Sequence, residues 1–108
     1  MNIDELYNKL VKAGETWSDL DAAATLLEET KKVVLAQQIN ETLATGDHSV
    51  ASAEKFALTF GIYKDHIKLM VEARQEANRA KVQYYGMQTY VELYRTQQST
   101  KSAEMEFS

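Results

Sequence analysis

The sequence predicts an all-α fold: an antiparallel helical hairpin or bundle with a long, coiled-coil-like C-terminal helix, paired as a dimer. Three observations predict it. The 108 residues contain no proline and only four glycines, so little interrupts a helix. Apolar residues return every three or four positions almost throughout, the spacing of one helical face. From Ile62 to about Lys101 that spacing meets no credible stop signal.

Taken in order, Ile3, Leu6, Tyr7, Leu10 and Val11 share a face and predict a first helix over 3–13. Asn2 serves as its N-cap and Gly14 as its C-terminal glycine. Thr16 or Ser18 then starts a second helix over 17–45, with Asp19 and Asp21 well placed in a first turn. Leu20, Ala24, Leu27, Val34, Leu35, Ile39 and Leu43 form its apolar side, and Gly46-Asp47 ends it. Ser49 caps a short helix over 50–60, and Gly61 marks a bend or a tight contact. The last helix covers 62–101, and residues 102–108 are expected to fray.

The last helix carries a heptad seam: Tyr63, His66, Met70, Ala73, Ala77, Ala80, Tyr84, Met87, Val91, Tyr94 and Gln98. Gly86 costs about 1 kcal/mol relative to alanine there, too little to break the rod. At 1.5 Å per residue the last helix is roughly 60 Å long and the second only roughly 44 Å. A simple hairpin of those two leaves part of the seam bare, for the first helix or a second copy of the chain to cover. The small Ala73, Ala77 and Ala80 permit close approach, so the expectation is a homodimer with an extended bundle core.

Composition bounds the function. One helical domain over 1–108 suits the length. With 44% apolar and 26% charged residues, wholesale disorder is not expected. Absence of cysteine removes disulfides, thiol nucleophiles and thiolate metal sites. No start resembling a secretory signal and no long apolar run occur, so no membrane is expected and the expected location is the cytoplasm. The formal charge of −4 is uneven. Residues 1–47 hold nine acids against four lysines, whereas 48–108 hold eight cations against seven acids. That balance disfavours a general nucleic-acid coat and leaves room for a local basic stripe.

No catalytic, cofactor or metal site is expected. No glutamate has a histidine three residues later, as inward-facing di-iron bundles require, and no zinc spacing exists. His66 falls on the seam as a packed, hydrogen-bonded residue, and His48 belongs to the loop. Ser49 and Ser52 near His48 lack an oxyanion hole and sit where helix caps belong. Two groups remain as candidate partner-binding residues. Tyr84, Tyr85, Tyr90 and Tyr94 cover more than one face of the last helix, either as a wide buried surface or as an exposed platform. Arg74, Lys81 and Arg95 share one heptad position with Gln88 beside the seam, and Arg79 lies nearby. Their expected partners are Asp19, Asp21, Glu28 and Glu29 of the second helix; the alternative is a phosphate backbone.

The stretch "HIKLMVEARQEANRAKVQYYGMQTYVELYRTQQSTKSAEMEF", with "LLEETKKVVLAQQ" upstream, resembles small uncharacterised helical proteins of tailed bacteriophages. Glu72-Ala73-Arg74, Ala77-Asn78-Arg79-Ala80, Arg95-Thr96, Ser99-Thr100 and Glu104-Met105 carry the likeness, which covers most of the chain. It implies a phage origin, a gene neighbourhood of replication and recombination, and no assigned chemistry. The leading expectation is therefore a non-enzymatic interaction protein that pairs with itself and modulates another protein of DNA metabolism. A single-stranded nucleic-acid accessory using Arg74, Arg79, Lys81, Arg95, Tyr85 and Tyr90 is the alternative. A structural component of the virion is the third.

Overall fold

A computed structural model describes residues 2–107 as three helices: α1 (Ile3–Ala44), α2 (Val50–Thr59) and α3 (Ile62–Phe107). No strand occurs among the described residues. The molecule is a rod measuring 87 × 17 × 15 Å.

Local chemistry sets the ends. The Asn2 side chain accepts a hydrogen bond from the Glu5 backbone N–H at 2.9 Å, and Asp4 and Glu5 complement the first turn's free N–H groups. Beyond Ala44 the chain turns through Gly46, whose φ of 81° a side chain would resist, and its N–H returns to the Leu43 carbonyl. Ser49 caps α2 by accepting from the Ser52 N–H at 3.2 Å. Phe60 is extended and Gly61 has a φ of 71°, so the chain bends there before α3 begins.

The sequence-based break at Gly14 is not present; residues 3–13 and 17–45 belong to one helix that ends at Ala44. A C-terminal glycine cap needs positive φ, and Gly14 has none. Thr16, a proposed cap, instead bonds its own helix by donating to the Lys12 carbonyl at 3.0 Å. The glycine has another purpose. A Cβ at position 14 would stand 3.1 Å from Cε2 of Tyr84, whose ring lies on the bare backbone. The short helix ends at Thr59 rather than 60, and α3 continues to Phe107, so residues 102–107 are helical rather than frayed. Ser108 lies outside the described residues.

α3 runs antiparallel to α1. Residue 66 meets 27, residue 74 meets 21–28, and residue 84 meets 14–17. The heptad seam of α3 faces this contact: Tyr63 through Tyr94 are all buried or half-buried, and only Gln98 is exposed. Opposite them lie Leu6, Leu10, Ala13, Trp17, Leu20, Ala24, Leu27 and Val34 of α1, itself a three-four repeat running through Gly14. Full burial falls mostly to small residues: Ala24, Ala53, Ala57, Ala77 and Ala80, with Leu6 the one large side chain. A two-helix contact is a line, and only small groups on that line lose all their solvent.

Length explains the rest. Because α1 has 42 residues, not 29, it reaches the whole seam from Tyr63 to Tyr94. The expected bare stretch of seam is therefore covered within one chain. α2 packs chiefly on the last turns of α1, where Ala53 and Ala57 bury themselves together with Thr42. Residues 95–106 of α3 are exposed.

The two mid-helix glycines predict opposite responses. Gly86→Ala meets open space and should stabilise the chain by about 1 kcal/mol, raising the thermal midpoint by roughly 5 °C in dilute solution. Gly14→Ala must displace Tyr84 and should gain clearly less or lose stability, with the gain recovered in a Tyr84→Leu background.

Candidate functional site

The rod has two unlike long sides. On one, the residues just beside the seam are Gly14, Asp21, Glu28, Leu35 and Thr42 of α1 and Ile67, Arg74, Lys81 and Gln88 of α3. Most are buried or half-buried. Arg74 is their centre. Its Nη1 donates to Asp21 Oδ1 at 2.6 Å, and its Nη2 reaches Thr25 Oγ1 at 3.2 Å and also Glu28. Three turns of α1 are thus held by one planar guanidinium, a geometry lysine's point charge cannot copy. The hydrogen bonds to Glu28 and Asp21 raise the Arg74 pKa above its ordinary value, against a weaker opposing effect of partial burial. The carboxylates keep 50% and 40% of their side-chain surface in water, so salt screens the network.

One heptad further along, Lys81 replaces the ion pair with aromatic contacts. Its Nζ lies 5.9 Å from the Trp17 ring centre and 6.0 Å from that of Tyr85. Trp17, Tyr84 and Tyr85 form a closed triangle with centroids 5.5, 5.6 and 5.7 Å apart. A hollow of about 320 Å³ opens beside it, between Gly14, Trp17, Ser18, Asp21 and Tyr84. Toward the hinge the same side is closed by α2.

The opposite long side has no such lacing. Here the flanking α3 residues are Ile62, Leu69, Glu76, Gln83 and Tyr90, all exposed, backed by Asp65, Glu72, Arg79, Gly86 and Leu93. Leu26 and Val33 of α1 lie on this side and are also exposed. A hollow of about 330 Å³ is lined by Leu6, Lys9, Gly86, Met87 and Tyr90.

The candidate residues are accordingly divided. Tyr84 is half-buried on the Gly14 backbone, and Tyr94 is half-buried at the end of the seam. Tyr85 and Tyr90 are both exposed but occupy opposite long sides. Arg74 is engaged with α1 and Lys81 with aromatic rings, while Arg79 and Arg95 are exposed at separate places. The eight therefore do not form one patch. Of the four expected acidic partners, Asp21 and Glu28 meet Arg74; Asp19 and Glu29 do not. Trp17, Gly14 and Thr25 belong to the laced side and were missed. The signal for Trp17 was the unbroken repeat Leu6, Leu10, Ala13, Trp17, Leu20.

The histidines do structural work. His66 Nε2–H donates to the Leu27 carbonyl at 2.7 Å across the seam. His48 Nδ1 lies 2.7 Å from Ser52 Oγ, with its ring against Phe56. No group of three or more His, Asp or Glu among the described residues is placed to hold a metal ion. No helix is long and apolar enough to cross a membrane.

Fold and surface define an α-helical hairpin rod with one laced side and one open side. No protein-family model, characterised protein or solved structure matches the chain.

Arg74→Ala should lower the thermal midpoint by removing three contacts to α1, and Arg74→Lys should lower it less. Melting in molar salt should narrow the gap between Arg74→Ala and the parent chain. An unchanged gap would mean that packing of the arginine stem, not charge, carries the effect.

Proposed function

We propose that the chain is a non-enzymatic, phage-encoded interaction protein that pairs with itself and modulates a second protein acting in phage or host DNA metabolism. One observation supports it above the rest: the rod wears its apolar side chains on the outside. Leu6 is the single large side chain fully buried among the described residues, whereas Leu26, Val33, Leu69, Val82, Tyr90 and Leu93 each keep more than half their surface in water. Soluble monomers expose scattered apolar residues, but so many exposed beside so few large ones buried favours contact surfaces. The likeness of the 66–107 stretch to small phage proteins supports the setting in DNA metabolism and in the host cytoplasm.

The outward side of α3, with Val82, Tyr85 and Arg95, is the surface offered to the second protein. Val82 is 71% exposed and lies off the seam, and Tyr85 keeps 48% of its surface exposed beside Trp17. Apolar and aromatic anchors with a peripheral arginine are the residue types that dominate protein contacts.

The nucleic-acid reading has less support. Tyr85 and Tyr90 cannot stack successive bases from opposite sides of a rod, and Arg74 is already paired with carboxylates.

The tagged chain, expressed in infected cells, should retain a DNA-processing protein in stoichiometric amount, and a Val82→Ser/Tyr85→Ser variant of unchanged helicity should lose it. Retention undiminished by that variant would remove the assigned surface. Titration of a labelled single-stranded oligonucleotide should show no binding at low salt; tight binding with a steep negative salt slope would favour the accessory reading instead. Large ordered assemblies in light scattering would favour a virion component.

A further inference from the structure

We infer that the open long side is the self-pairing surface, and that a second copy of the chain docks on it antiparallel, with the two-fold axis between Glu76 and Arg79. The inference deepens the reading of the chain as a self-pairing interaction protein and rests on it.

The pattern along that side is self-complementary. Apolar groups stand at both ends, Ile62 and Leu69 toward the hinge and Gly86, Tyr90 and Leu93 toward the tip. Between them lie Glu72, Glu76, Arg79 and Gln83. An antiparallel copy centred between 77 and 78 opposes each residue to the one whose number makes a sum of 155. Ile62 then meets Leu93, Asp65 meets Tyr90, Leu69 meets Gly86, Glu72 meets Gln83, and Glu76 meets Arg79, each pair occurring twice by symmetry.

Three of these oppositions satisfy something that one copy leaves open. Glu76 and Arg79 have no ion-pair partner within 4 Å among the described residues. Ile62, Leu69 and Leu93 are each more than half exposed. Gly86 carries the helix-interior cost of a glycine, yet nothing lies within 4 Å of where its Cβ would be. Opposite Leu69 of a second copy, that missing side chain becomes the space a leucine enters, beside the hollow of Leu6, Lys9, Met87 and Tyr90. A parallel copy opposes Glu76 to Glu76 and Arg79 to Arg79, which like charges disfavour.

The open side is long: residues 62–93 of α3 extend roughly 46 Å at 1.5 Å each. The laced side is a poorer candidate because α2 and the Arg74 network already occupy it.

The cysteine-free chain makes the test clean. Leu69→Cys and Gly86→Cys chains, oxidised separately, should give little dimer, and mixed in equal amounts should give the disulfide-linked heterodimer. Glu76→Arg and Arg79→Glu should each weaken dimerisation at least about tenfold in sedimentation or light scattering, and the double exchange should restore it. Cross-linking of either cysteine chain with itself would overturn the antiparallel register. A monomer at all concentrations would overturn the interface outright. Neither result bears on capture of the second protein through Val82 and Tyr85, which fails or succeeds independently.

Discussion

Everything in this rod depends on the narrowness of a two-helix contact. A pair of helices can exclude water completely only along the line where their axes approach, and the side chains on that line must be small for the approach to occur. Ala24 on α1 and Ala77 and Ala80 on α3 meet that condition at its middle. Larger residues on either side, such as Leu20, Met70 and Val91, bury only part of their surface. A third layer, which would bury the rest, exists only near the hinge, where α2 covers Thr42 and its neighbours. The remaining surface is a consequence of architecture, not of an accidental excess of apolar residues.

The two flanks handle that constraint differently. On one, polar and aromatic groups bridge α1 to α3: Arg74 across Asp21, Thr25 and Glu28, then Lys81 with Trp17 and Tyr85. These contacts need specific partners at specific heights, so they fix the vertical register of the hairpin, which a greasy seam alone would leave free to slip by a heptad. Tyr84 against Gly14 acts in the same way, because only that height offers bare backbone to the ring. The opposite flank has no such bridges among the described residues. Freed of that duty, it can serve contact with another molecule.

Much of this was legible in residue order. The α3 seam followed from three-four spacing alone, and the all-α fold from the absence of proline. What failed was Gly14, where a glycine between Ala13 and Glu15 looked like a helix end. Its role depends on a tyrosine seventy residues away, and no local signal carries that information. Splitting α1 there also hid its own repeat, and with it Trp17. Of the four acids set against the basic stripe of α3, heptad spacing separates the two that engage Arg74: Asp21 and Glu28 are seven apart beside the seam, whereas Asp19 and Glu29 are exposed away from it. The tyrosines could not be sorted from α3 alone, because Tyr84 and Tyr85 are placed by Gly14 and Trp17 of α1.

The solitary end of α3 has a thermodynamic character of its own. From Arg95 to Glu106 every residue is exposed, and the helix carries local bonds such as those from Thr96 to Glu92 and from Thr100 to Thr96. An isolated segment of about a dozen residues sits close to the balance point between coil and helix in water. Whatever touches this end therefore also sets how much of it is folded. Recognition and ordering become a single event there, and the entropy lost in ordering is subtracted from the affinity while the docked shape is gained.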